Sequence, residues 1–140
     1  LTEKKLMFGI VRTDTAGDVY YEGDVGTGII ITISALGPVK NIKIYNTLTK
    51  EQMVLNTDKI GALTGTAFDA GDEIVISTIK NKKSIRLLRN GVYTDILRCL
   101  DLKSDWFVIY KGDNVFSYTA DTGVDNLQFS ITNDVIYEGV

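Results

Sequence analysis

Asp121-Thr122-Gly123 is the triplet with which retroviral-type aspartic proteases present their catalytic carboxylate, and here it lies inside "YTADTGVDN", residues 118 to 126. With one triplet per chain, two copies would have to meet so that two carboxylates could share one proton. The neighbourhood argues against that chemistry. Tyr118, Thr119 and Ala120 precede the triplet where an apolar strand would be needed, and Val124, Asp125 and Asn126 follow it. It also stands so late in a chain of 140 residues that too little sequence follows to build a flap and the second half of such a fold. Asp, Gly and Asn tolerate the backbone angles that loops demand, so Asp121, Gly123 and Asn126 are expected to form a hairpin loop.

The remaining chemistry is thin. The chain has no histidine, which removes catalytic triads, imidazole acid-base work and most zinc sites. Cys99 is the single cysteine, so there is no internal disulfide and no thiol pair for zinc, a pattern that suits folding in a reducing cytoplasm. Asp113, Asp121 and Asp125 are the candidates for calcium, but their spacing lacks the alternate oxygen ligands, glycine and distal glutamate of a calcium loop. Gly-Asp pairs at 17-18, 23-24, 71-72 and 112-113 are expected to be turns leading into strands. "GTGII", 26 to 30, runs into a strand rather than a helix and so lacks the helix N-terminus that lets glycine-rich loops hold phosphate. Trp106 could stack on a sugar, yet it sits in "DWFVIY", where both alternating faces are apolar, and is expected to be a largely shielded anchor. No catalytic, cofactor-binding or metal-ligating residue is expected, and the chain is not expected to be an enzyme.

The elements that would carry these residues are strands. Ile29, Ile31, Ile33 and Ala35 alternate with Ile30, Thr32 and Ser34, and Ile42 and Ile44 with Lys43 and Tyr45. Further strands are predicted at "MFGIVR" (7–12), "QMVLN" (52–56), "DEIVISTI" (72–79), "KSIRLL" (83–88), "DWFVIY" (105–110), "NVFSYT" (114–119) and "NLQFSI" (126–131), about nine in all. Gly37-Pro38 and Asn90-Gly91 supply turns, the second of the tight hairpin kind. Only "TDILRCL", 94 to 100, looks helical, with Thr94 as N-cap and Ile96, Leu97 and Leu100 on one side. "TDKIGALTGTAFDAG", 57 to 71, has no steady period and reads as a long loop or irregular edge. The fold class is therefore all-β, an antiparallel β-sandwich with one short helix.

A net charge of -3 and scattered basic residues, "KNKK" at 80 to 83 apart, make nucleic acid an unexpected partner. No apolar run is long enough to cross a bilayer and no charged-then-apolar leader opens the chain, so a soluble domain without a membrane partner is expected. The chain begins at Leu1, and residues 1–7 are expected to be an arm or linker from a missing N-terminal domain, with the sandwich at 8–140.

The ordered blocks "GTGIIITISALGPVKNIKIYN", "AGDEIVISTIKNKKSIRL" and "LDLKSDWFVIYKGDNVFSYTADTGVDNLQFSI", with an ending "YEGV", resemble the C-terminal domain of siphophage distal tail proteins. The resemblance implies a galectin-like or jelly-roll sandwich on the outside of a tail-tip or baseplate ring, with no catalysis at the Asp-Thr-Gly region. It implies that the missing N-terminal half forms a hexameric hub joining the tail tube to a tail-associated fibre or lysin protein, while the isolated domain is a monomer. It further implies an outward face that holds receptor-binding or tail-fibre proteins. The alternative is a carbohydrate-binding module that takes host cell-wall sugar during adsorption. Location at the virion tail tip, after assembly in the host cytoplasm, follows from the same resemblance, for an infecting phage or a prophage. Residues 62–71 look longer and less regular than the family pattern and are expected to be an elaboration for a partner.

Overall fold

The computed structural model describes residues 3–10, 16–23 and 25–136, with side chains described from residue 18 to 132 apart from residue 24. These residues form two antiparallel sheets. The first has the order β1-β10-β3-β6-β7-β8, from β1 (Glu3–Ile10), β10 (Leu127–Ile136), β3 (Ile30–Ala35), β6 (Glu73–Ser77), β7 (Ser84–Arg89) and β8 (Val92–Asp95). The second has the order β2-β9-β4-β5, from β2 (Ala16–Tyr21), β9 (Gly112–Thr122), β4 (Lys40–Asn46) and β5 (Gln52–Leu55).

Alternation decides which face of each strand is covered. Ile31, Ile33 and Ala35 of β3, Ile74 and Ile76 of β6, and Ile85 and Leu87 of β7 are buried from one side. Ile42 and Ile44 of β4, Met53 and Leu55 of β5, and Phe116 and Tyr118 of β9 answer from the other. The layers meet directly: Tyr118 of β9 stacks on Phe129 of β10, with centroids 5.1 Å apart and planes at 23°. Each fully buried aliphatic or aromatic side chain contributes about 1.5–3 kcal/mol by leaving water, so this double layer is the main stabilising feature.

The antiparallel sandwich matches the sequence reading, but four local expectations change. Residues 94–100 are not a helix: Thr94 and Asp95 close β8, and only Leu97–Cys99 make a single 3₁₀ turn. The short helix is instead α1 (Asp58–Thr64), inside the segment expected to be loop. It buries only Ile60 and contains Gly61, so it leaves no periodic stripe to read, and Gly65 ends it with a left-handed φ of 84°. Residues 105–110 are not a ladder strand but a strap across the sandwich, bridged to Thr27 at Ile109 and tied to β5 by the Asp105 N–H, which donates to the Gln52 carbonyl at 2.7 Å. β2 has no counterpart among the expected strands, because Val19 and Tyr21 are its only described buried anchors. Glu3 to Ile10 of β1 pair with β10 at the edge of the first sheet. Residues 11–12 of the predicted "MFGIVR" strand and the "YEGV" ending lie outside the described residues.

Turn chemistry fits where it was explicit. Asn90 (φ 52°) and Gly91 (φ 76°) form the two-residue hairpin between β7 and β8, closed by the Arg89–Val92 pair. Gly37-Pro38 lies in the crossover from β3 to β4.

Candidate interaction surface

Asp121 and Thr122 are the last residues of β9, and the turn proper begins at Gly123. The β9–β10 link is not a hairpin, since the two strands belong to different sheets. Gly123 adopts φ 80°, and a Cβ there would collide with the Pro38 carbonyl oxygen. Asn126 donates from Nδ2 to the same Pro38 oxygen at 2.9 Å, and its own carbonyl accepts from the Leu36 N–H at 2.7 Å. The triplet is therefore part of a corner that locks the β9–β10 crossover onto the β3–β4 crossover. Asp121 itself is exposed and accepts a hydrogen bond from Asn41 Nδ2 at 3.0 Å.

The calcium candidates are dispersed. Asp113 and Asp121 lie near opposite ends of β9, eight residues apart, about 27 Å at the rise of a strand. Among the described residues no group of three or more His, Cys, Asp or Glu side chains could hold a metal ion. A carboxylate pair that sequence reasoning missed is Asp18 with Asp113, on neighbouring strands in the β2–β9 ladder. Partial desolvation, then the hydrogen bond and charge of Asp113, push the Asp18 carboxyl up, but both residues are exposed on open sheet surface. Of the remaining Gly-Asp pairs, Gly71 (φ 88°) and Gly112 (φ 103°) do turn the chain into strands, Gly17-Asp18 lies within β2, and Asp24 is outside the described residues.

Gly28 of "GTGII" serves a close approach of backbone: a Cβ would meet the Thr78 carbonyl at 2.6 Å. Thr78 is buried there, accepting from the Ile29 N–H at 2.9 Å and donating to the Phe107 carbonyl at 2.7 Å, which seats the strap. Phe107 and Ile109 point into the core, while Trp106 is half-buried and Tyr110 exposed. Trp106 is thus less shielded than expected, because the strap is covered on one side only. Lys83 Nζ stands 5.6 Å from its ring centroid, so one ring face already has a partner.

Residues 57–72 are held by Arg89. Its guanidinium donates to Asp72 through Nε (2.8 Å) and Nη2 (2.7 Å), to Thr64 Oγ1 (2.9 Å) and to the carbonyls of Thr66 and Ala67 (3.1 and 3.2 Å). Burial alone would raise the Asp72 carboxyl, but the hydrogen bond from Arg89, the Asp69 N–H and the Arg89 charge outweigh it and hold the carboxyl below its ordinary value.

On the other side of α1 lies a groove of about 920 Å³, walled by α1, the Leu97–Cys99 turn and residues 101–103. Its floor is fixed from inside. Ile96 and Cys99 are buried, burial pushes the Cys99 thiol up, Leu100 bridges to Leu55, and the Asp101 N–H donates to the Val54 carbonyl at 2.8 Å. Its rim is apolar and wet: Leu63, Leu97 and Leu102 are 38%, 46% and 102% exposed. Between them stand Lys59, Arg98 and Lys103.

Fold and surface together define an antiparallel β-sandwich module whose described residues carry no recognisable catalytic constellation and whose leucines at one end face solvent. A family described as siphovirus-type tail component, C-terminal domain, matches residues 22–133, and the chain belongs to that family. It is a phage tail component. Among solved structures it is similar to SPP1 Dit (gp 19.1), described as a paradigm of the hub adsorption apparatus in phages that infect Gram-positive bacteria. The TM-score is 0.66 at 12% identity, over 95% of this chain and 48% of that one, so the chain spans about half the length of that relative and shares its fold. No curated protein matches the sequence.

Proposed function

We propose that this domain is a peripheral, non-enzymatic module of a tail tip or baseplate, an attachment platform for a receptor-binding or tail-fibre protein. The observation that carries the reading is the solvent-facing leucine groove on a tail component. Clustered exposed leucines are disfavoured on a free surface and mark sites of protein contact, unlike leucines scattered singly. On its own the domain is a monomer, and within the full-length protein it hangs outside a hexameric ring. The carbohydrate-binding alternative has less support, because Lys83 already lies over the lone tryptophan. Gold-labelled antibody raised against the chain should decorate one end of purified virions, at the tail tip; decoration of capsids or of nothing would overturn the proposal. Light scattering of the isolated chain should give the monomer mass.

A further inference from the structure

We infer that the groove beside α1 takes an acidic amphipathic segment of a partner protein, with leucine-sized side chains on one face and carboxylates flanking them. The inference rests on the attachment reading above and specifies its site and chemistry. Leu63, Leu97 and Leu102 offer apolar contacts to one face of an entering segment. The charges around them are arranged unequally. Asp95 and Asp101 are folded back onto their own turns, where Oδ1 of each accepts the N–H of Leu97 (2.9 Å) and Lys103 (2.8 Å). Arg98 and Lys103 are exposed on long, many-jointed stems that can reach out to a partner, while Lys59 donates to the Arg98 carbonyl at 3.3 Å. On a chain of net charge -3, the lining of this groove thus sets three cations, Lys59, Arg98 and Lys103, against two carboxylates, Asp95 and Asp101, beside three solvent-exposed leucines. Carboxylates on the partner complement that edge and steer its approach.

Other occupants fit less well. A second copy in a two-fold contact would bring Arg98 and Lys103 against their own like. A sugar asks for aromatic planes, whereas the rim is leucine. Helix-in-groove recognition meets the chemistry, with anchors at i, i+3, i+4 and i+7.

The test uses the whole chain and two fluorescein-labelled peptides of about 16 residues, long enough to hold a helix. One is built from Leu and Glu with leucines on one face, and the other has Lys in place of every Glu. Anisotropy should show salt-sensitive binding of the acidic peptide and at least tenfold weaker binding of the basic one. Amide shifts in the labelled chain should centre on 59–63 and 97–103. The double substitution R98E/K103E should weaken the acidic peptide at least tenfold, and Leu102→Ser should weaken it several-fold; both sites are solvent-exposed, and circular dichroism checks that the fold is kept. Equal affinity for the two peptides, shifts centred elsewhere, indifference to both substitutions, or no binding of the acidic peptide would each overturn the inference. Failure here with tail-tip labelling intact would leave the attachment reading standing, whereas loss of the labelling removes that reading whatever the peptides do.

Discussion

Two single 3₁₀ turns carry the chain between its sheets, Leu97–Cys99 after β8 and Val124–Asn126 after β9, and they are finished in opposite ways. At the second, Val124 packs against the core, Asn126 ties the neighbouring crossover, and Gly123 lets the backbone touch Pro38. At the first, Ile96 and Cys99 are anchored inside, but Leu97 and, a few residues on, Leu102 stay in water. Complete burial of a leucine is worth about 2 kcal/mol, so the fully exposed Leu102 forgoes nearly all of it and the half-exposed Leu97 about half. One turn closes the fold, and the other keeps apolar surface available.

The largest expected effect breaks the closed turn. Gly123→Ala places a Cβ in a left-handed conformation against the Pro38 carbonyl, and strain plus overpacking should cost about 3 kcal/mol or more. Chemical denaturation should show the midpoint falling sharply, while Leu102→Ser at the open turn stays within about 0.5 kcal/mol of the parent. Equal effects at the two positions would dissolve the contrast between them.

Arg89→Ala should come next, at about 2–3 kcal/mol, because it leaves the mostly buried Asp72 carboxylate without its partner. The pH dependence has a definite sign. The Asp72 carboxyl titrates lower in the folded chain than in the unfolded one, so its contribution is full above the unfolded value and is lost as pH falls through the lower, folded value. The parent should therefore lose stability through that acid window, and R89A should lose less there. Parallel stability curves for the two proteins would show that the pair does not stabilise the fold.

A smaller effect is expected at the strap. Trp106→Ala should cost about 1–2 kcal/mol, below the 3–5 kcal/mol of a fully buried aromatic, since only part of the ring leaves water. Iodide should quench its emission partially. Complete protection from iodide, or a full core-sized loss of stability, would place the ring deeper than the strap geometry does.

What could be read in the sequence was what repeats or what only one backbone shape allows. The alternation from Ile29 to Ala35 named its buried face correctly, and Asn90-Gly91 named its hairpin. "TDILRCL" misled because Ile96, Leu97 and Leu100 mimic one face of a helix; the chain instead buries Ile96 and Cys99 and turns Leu97 outward. The strap misled because an apolar alternation does not reveal whether a ladder partner exists. The groove was illegible for a different reason: Leu63 lies far in sequence from Leu97 and Leu102, and only the crossover through α1 brings them together. The irregularity of 62–71 has a physical counterpart: Arg89 holds that segment through Thr64, Thr66 and Ala67 where no ladder does.

The smallest expected effect is at the residue with the most suggestive chemistry. Asp121→Asn removes a charge from an exposed carboxylate that accepts the 3.0 Å bond from Asn41, a bond that an amide oxygen can accept equally well. Stability should move by no more than about 0.5 kcal/mol, the usual range for an exposed polar substitution. Acid proteolysis needs a second carboxylate close enough to share a proton with the first, and two exposed Asp121 side chains could be so placed only in a dimer. The parent chain should therefore leave a casein or peptide substrate intact at acidic pH, at any protein concentration, and the Asp121→Asn variant should match it. Cleavage by the parent that grows with the square of concentration and disappears on substitution would reverse the assignment of this turn to structure alone.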